Sequence, residues 1–413
     1  MSRASTRGQA VAHAAPAGPS ALDDVRGAGR LAVDLTMRVT DAVETMHHNI
    51  IRRRGVLGRA VVQPAPGLTG FVYRRVQGVT RLAGTTFDAL LTPLMALFPR
   101  NGDWQGRDAV IAAINGVLGD HLEATRNPLQ IRMHLRMHGK AVDAGSSFIA
   151  NPRPRVIVMV HGLCMTDAQW TRDSHDHGQR LASDLDAELV HLRYNSGRHI
   201  STNGAELAQL LNAMVRGWSS TPPQITLVGH SMGGLVIRSA CAAAKAAGST
   251  WAQNINALIF IGTPHRGAPL ERHGYGVDRL FSASPYTVAF TKLSSLRSAG
   301  ITDLRHGSMR DSDWRGRDRF ARDGYACASV ALPVGVPAFT IAGSIGKSGR
   351  LAPIVGDGLV PLASALGQGG DASTSDFPPS RSFVARNTGH LDLLGSRAVY
   401  AQLRDWLVPT RTA

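Results

Sequence analysis

The chain has 413 residues, 43% of them hydrophobic, and a formal net charge of +15, so it can build one large domain with an extension or two domains with sizeable cores. Only four of its 45 basic residues are lysine. A charge of this size draws nucleic acid, anionic lipid or acidic substrates, but with aromatics at 6% and no arginine block interleaved with them, nucleic-acid binding is excluded. Cys164, Cys241 and Cys327 are odd in number and widely spaced, which excludes a disulfide framework and a cysteine zinc site.

Residues 1–28 are rich in Ala, Gly, Ser, Pro and Arg without periodicity and read as disordered. They lack the apolar stretch of a secretory signal, and no run in the chain approaches the ~18 apolar residues of a membrane span. The expectation is a cytoplasmic protein. From 29 to 125 the pattern is helical. Leu35, Val39, Met46 and Ile50 mark one apolar stripe, and Val79, Leu82, Phe87, Leu90, Leu91 and Leu94 a stronger one. Val110, Ile111, Ile114, Val117, Leu118 and Leu122 mark a third. With Arg52, Arg53 and Arg54 between them, these helices could lie on an anionic membrane; packing on one another or on a neighbouring domain is the favoured reading. The segment "LQIRMHLRMHGKAV", from Leu129, alternates apolar and basic residues and reads as a strand and turn at a sheet edge.

From Pro154 onward short apolar runs alternate with helical segments. Strands are expected at 155–162, 187–195, 224–230, 257–264, 337–344 and 382–387, and helices at about 178–186, 202–217, 233–247 and 394–407. This alternation predicts an α/β fold, a doubly wound and mostly parallel sheet spanning 126–413 with the helical extension before it. Residues 265–336 interrupt the pattern with a long polar insertion and read as a cap over the carboxyl ends of the strands. Within the cap, Tyr286, Phe290, Leu293 and Leu296 are candidates for the apolar wall of a substrate site.

The stretch "ITLVGHSMGGLVIRSA", residues 225–240, sets Ser231 between Gly229 and Gly233 at the junction of a strand and a helix. A turn that tight forces the serine into a strained conformation with its hydroxyl projecting, and the flanking positions must lack side chains. Ser231 is therefore a candidate nucleophile, and it needs a histidine base oriented by a carboxylate. After His306 one histidine remains, His390 in "RNTGHLDLL", beyond the last strand. No glutamate follows Glu271, so the acid is an aspartate. Asp357, in "IVGDGLVPLASA", follows the strand at 337–344 and is preferred to Asp371, while Asp303 lies in the cap. The two amides that would bind an oxyanion are those of Met232, next to the nucleophile, and Leu163, after the first core strand. His161 is expected to hydrogen-bond within its loop.

The segments "VMVHGL", "GHSMGGLV", "FIGTPHRGAP", "DGLVP" and "GHLDLL" resemble those of the α/β-hydrolase superfamily, and within it the lipase-like serine esterases related to the alpha/beta domain of GPI inositol-deacylase. The resemblance covers about residues 154–407. It implies an ester hydrolase with Ser231, Asp357 and His390 as triad, Leu163 and Met232 as oxyanion donors, and His265 and Gly267 shaping the site wall. No cofactor is implied, and the substrate is a small-molecule or lipid ester. An acyltransferase or a thioesterase would use the same triad; a non-catalytic, membrane-associated scaffold is the alternative from another class. The histidines of "HDHG" (175–178), with Asp176 and His199, suggest a metal, but their spacing is poor for ligation, and structural hydrogen bonding is preferred.

Overall fold

The computed structural model describes residues 23–34, 107–144, 152–218, 221–268, 297–318, 327, 330–345, 356–368 and 376–408. The chain divides into two compact units, one formed by residues 1–16, 108–121 and 131–413, the other by 17–107 and 122–130. In the second unit residues 23–34 are helical, so helix begins inside the stretch read as disordered. The Arg107 guanidinium donates to both carboxylate oxygens of Asp24 at 2.6 Å, and Asn127 Nδ2 donates to the Gly27 carbonyl at 3.0 Å.

The larger unit is built on one sheet. Its strands are β1 (His134–Met137), β2 (Lys140–Val142), β3 (Arg155–Val160), β4 (Glu188–Arg193), β5 (Gln224–His230), β6 (Ile255–Ile261), β7 (Ala338–Ser344) and β8 (Ser382–Arg386). The order across the sheet is β8-β7-β6-β5-β3-β4-β1-β2. The strands from β8 to β4 run parallel, while β1 joins β4 antiparallel and carries β2 at the edge. The central strands are continuous apolar runs because helices cover both faces. Val156 to Val160 and Leu258 to Ile261 are at most 1% exposed.

The helices are α1 (Arg107–Ala124), α2 (His177–Leu185), α3 (Ile200–Arg216), α4 (Met232–Ala247), α5 (Ala299–His306) and α6 (Arg397–Leu407). α3 packs on α4, and α2 on α6. Trp170, Leu181, Leu393, Val399 and Leu403 join Ile157, Met159 and Ile259 in one apolar cluster. β4 lies on one side of β3 and β5 on the other, so the chain reverses its winding there; the crevice at such a switch point is where ligands bind in doubly wound sheets. This parallel sheet, with helices on both faces and a serine turn at the switch point, is the alpha/beta-hydrolase fold.

Residues 108–121 of α1 group with the residues of the larger unit and approach its loops closely. Glycine makes that approach possible: a Cβ at Gly116 would lie 2.1 Å from Cys164 Sγ, and one at Gly119 1.9 Å from Asn195 Oδ1. Asn195 Nδ2 donates to the Gly119 carbonyl at 2.9 Å, and Ser298 Oγ to the Gly116 carbonyl at 2.6 Å. Asp120 accepts the Ala299 amide at the start of α5. The cap candidates Tyr286, Phe290, Leu293 and Leu296 lie outside the described residues.

Close approach also governs α3 against α4, where a Cβ at Gly204 would sit 2.3 Å from Ser239 Oγ. Gly204→Leu should therefore lower stability by about 1–3 kcal/mol through overpacking, read as a lower urea midpoint at unchanged slope. An unchanged midpoint would mean that this helix pair has slack.

Candidate active site

Ser231 stands between β5 and α4 with φ 53° and ψ −125°. A non-glycine residue at positive φ costs on the order of 1–3 kcal/mol, so the surroundings must impose it. The Ser231 amide donates to the Ile261 carbonyl at 2.9 Å, tying the turn to the end of β6. A Cβ at Gly229 would meet Gly234 Cα at 2.6 Å, and one at Gly233 would meet the Val160 carbonyl at 2.2 Å. Side chains at these two positions would push the strand and helix apart. Ser231 itself is 5% exposed.

His390 lies in the loop after β8. Its Nδ1 is 2.7 Å from Asp357 Oδ2, and its amide donates to the Asp357 carbonyl at 3.1 Å. The other carboxylate oxygen of Asp357 accepts the amides of Leu359 and Val360 at 3.0 and 2.8 Å. The carboxylate thus stays an acceptor of three N–H groups, with one orientation available to it. The imidazole rests over Gly262, where a Cβ would come within 3.2 Å of both Nδ1 and Cε1. Ser231 and the imidazole therefore share the carboxyl end of β6. Asp371, the other candidate acid, lies outside the described residues. Asp303 is committed elsewhere, accepting from His199 Nδ1 and the Ile200 amide, both at 2.9 Å.

Leu163 and Met232 are both buried. Among the described residues neither amide finds a protein acceptor. The loop between β3 and Leu163 is held tightly. His161 Nδ1 bonds the Gly162 carbonyl at 2.9 Å, and its ring stacks on Tyr194, with centroids 4.4 Å apart. The Tyr194 hydroxyl donates to the His161 carbonyl at 2.8 Å. Cys164, at φ 59°, donates its amide to Ser196 Oγ at 3.0 Å. Burial pushes the Cys164 thiol up to about 12, which leaves it a packing group without nucleophilic character.

Tyr194, Ser196 and His230 escaped the reading of the sequence. His230 Nε2 lies 3.2 Å from the His390 carbonyl, so it is the donor there. Its position in the motif, directly before Ser231, was the available signal. His265 is buried against Phe260 and Phe377 and accepts from Arg238 at 3.0 Å. Arg238, almost fully buried on α4, pairs with Asp376 at 2.8 Å. Gly267 adopts φ 79°, and a Cβ there would lie 2.6 Å from the Arg305 carbonyl.

The four residues weighed as metal ligands do not converge. Asp176 caps α2 through the Gln179 amide at 2.9 Å, and His199 stacks on Trp314 with centroids 3.6 Å apart. His175 and His177 bond each other at 2.8 Å. Among the described residues no group of three or more His, Cys, Asp or Glu is arranged to hold a metal, and no helix is long and apolar enough to cross a membrane.

Residues 152–331 match the model of the PGAP1-like alpha/beta domain. No curated protein matches the chain. Among solved structures, the mature form of the lipase BlEst2 of Bacillus licheniformis is 16% identical with a TM-score of 0.41, over 67% of this chain and 98% of its own. An esterase of Pyrobaculum calidifontis is 13% identical with a TM-score of 0.35, over 75% of this chain and 97% of its own. The phospholipase PlaB of Legionella pneumophila, in complex with thio-NAD, is 16% identical with a TM-score of 0.33, over 51% of this chain and 44% of its own.

Burial holds His161 and His177 down to about 4 and His230 well below the ordinary histidine range. Between about pH 6.5 and about pH 4 the unfolded chain takes up protons that the folded chain refuses, so stability falls as pH falls. Each such histidine can contribute up to about 1.4 kcal/mol per pH unit in that window. The urea midpoint should drop steadily from about pH 7 to about pH 5, and a flat profile would contradict neutral burial of these rings.

Proposed function

We propose that this chain, whose residues 152–331 match the model of the PGAP1-like alpha/beta domain and whose sheet has the alpha/beta-hydrolase order, is a serine hydrolase of carboxylic esters. The observation that carries the reading is the strained Ser231 at the β5–α4 turn, together with the 2.7 Å bond between His390 and Asp357 above the end of the neighbouring strand. A serine hydroxyl gains nucleophilic strength only when a base removes its proton in the attack. That need explains both the strain and the buried carboxylate.

In this mechanism Ser231 Oγ attacks the ester carbonyl carbon while His390 Nε2 takes the hydroxyl proton. The carbonyl oxygen becomes an oxyanion and receives the amides of Leu163 and Met232, which have no competing protein acceptor among the described residues. Asp357 keeps the imidazole proton on Nδ1 and stabilises the imidazolium without taking the proton itself. The tetrahedral intermediate collapses, the alkoxide leaves with the proton from Nε2, and the acyl group stays on Oγ. Water then attacks the acyl-enzyme with His390 as base, and the carboxylic acid departs. Tyr286, Phe290 and Leu293 remain the proposed apolar wall for the acyl chain. No metal or cofactor takes part in these steps.

Water is the acceptor in this mechanism; an alcohol in its place would make the chain an acyltransferase, and a thiol leaving group a thioesterase. Comparing p-nitrophenyl esters of short to long acyl chains separates a small-ester site from a lipid site. Ser231→Ala should abolish turnover and fluorophosphonate labelling. Asp357→Asn should lower kcat by about 10⁴ through the wrong imidazole tautomer, and Leu163→Pro, which removes one donor, by about 10²–10³. Turnover persisting in Ser231→Ala would overturn the assignment.

A further inference from the structure

The two histidines of the 175–178 segment take no part in the chemistry above. They are nonetheless buried, at 1% and 0% exposure, and close a hydrogen-bond chain that ends on the loop carrying His390. An Arg397 guanidinium nitrogen lies 3.0 Å from His175 Nδ1. A guanidinium only donates, so His175 Nδ1 holds the lone pair and the ring proton sits on Nε2. At the far end, His177 Nε2 lies 2.9 Å from the Leu393 carbonyl oxygen. A carbonyl only accepts, so His177 also carries its proton on Nε2. Its Nδ1 then accepts from His175 Nε2 at 2.8 Å. Arg397, His175 and His177 thus donate in sequence, with no choice of tautomer left.

Neighbouring groups guard this arrangement. Tyr400, on α6, presents its edge to His175 and lies parallel to His177, and its hydroxyl donates to Asp184. Arg180 sits over the same ring. The Asp176 carboxylate is occupied by the Thr171 hydroxyl and the Gln179 amide and takes no imidazole proton. An added proton would meet only donors: on His175 Nδ1 it would face Arg397, and on His177 Nδ1 it would face His175. Burial, with Arg397 and Arg180 close by, lowers the affinity of His175 for that proton.

Leu393 is fully buried, and its side chain packs where a Cβ on Gly262 would stand, 3.0 Å away. Its amide donates to Gly389, closing the loop on itself. Two carbonyls of this loop are held by buried imidazole donors from different elements, His390 by His230 at 3.2 Å and Leu393 by His177 at 2.9 Å.

We propose that His177, kept in one tautomer by His175 and Arg397, is a positioning residue for His390, its Nε2–H on the Leu393 carbonyl fixing the loop that sets the imidazole beside Ser231. This inference rests on the hydrolase reading of Ser231. The test compares His177→Leu, which removes the donor, with His177→Gln, whose amide can restore it, in the full chain. Ester hydrolysis, urea midpoints and the downfield proton resonance of His390 Nδ1–H on Asp357 are measured for each.

His177→Leu should lower kcat on the order of 10-fold to 100-fold, the loss that a small misplacement of a reacting group produces, with KM within about twofold. It should also shift the resonance. Gln should recover most of both. A folded His177→Leu protein with wild-type kcat and an unmoved resonance overturns the proposal, as does a Gln variant as impaired as the Leu variant. Should the Leu variant fail to fold, Arg397→Met, which leaves the His175 tautomer free, is measured in its place and must shift the same resonance. If the wild type neither hydrolyses an ester nor labels at Ser231, the hydrolase reading falls. The resonance alone then decides whether His177 positions His390.

Discussion

The candidate site is arranged around one backbone angle, the positive φ of Ser231. Left to itself a serine abandons that conformation, which costs on the order of 1–3 kcal/mol. It persists because the chain on either side is locked: β5 is paired on both edges, with β3 and β6, and α4 buries Leu235, Val236 and Ile237 between the sheet and α3. The lock closes only if strand and helix approach to contact, which excludes a Cβ at Gly229 and at Gly233. Strain at Ser231 is therefore sustained by the burial of apolar surface several residues away. A sheet of this size can supply that burial.

The second organising feature is a set of imidazoles kept neutral by burial. His161, His177, His230 and His265 are all at or below 2% exposure, and burial lowers each below the ordinary histidine range. A neutral ring offers one donor and one acceptor in a fixed relation. It can therefore link a loop to a strand directionally without the cost of a buried charge. His161 does this for the loop bearing Leu163, and His230 and His177 do it for the loop bearing His390. The two loops that meet at Ser231 thus depend on the same device, which works only where water is excluded.

Residues 108–121 of α1 belong to this scheme although they precede the sheet by sequence. Gly116 lets α1 touch Cys164, the residue after the proposed oxyanion donor, and the Gly116 carbonyl accepts from Ser298 at the start of α5. Asp120 accepts the next amide. One helix therefore braces both the loop after β3 and the entry to α5. Contacts of this kind restrain loops whose own backbones have few regular partners.

The sequence by itself determined the parallel strands, the elbow serine and its candidate partners, because these leave local marks. A continuous apolar run reports a strand covered on both faces, glycines spaced around a serine report a tight turn, and a chain with one histidine after the cap leaves His390 as the remaining choice. What covers the helical extension left no such mark, since periodicity reports that a helix is amphipathic but not which surface meets it; Gly116 and Gly119 of α1 approach Cys164 and Asn195. Hydrogen bonding was expected of the 175–178 histidines, but its partners were hidden. Their partners Leu393 and Arg397 lie 216 and 222 residues away, and no local pattern encodes such a meeting. Only the tertiary structure decided these things, because hydrogen-bond direction and burial belong to pairs of residues brought together by folding.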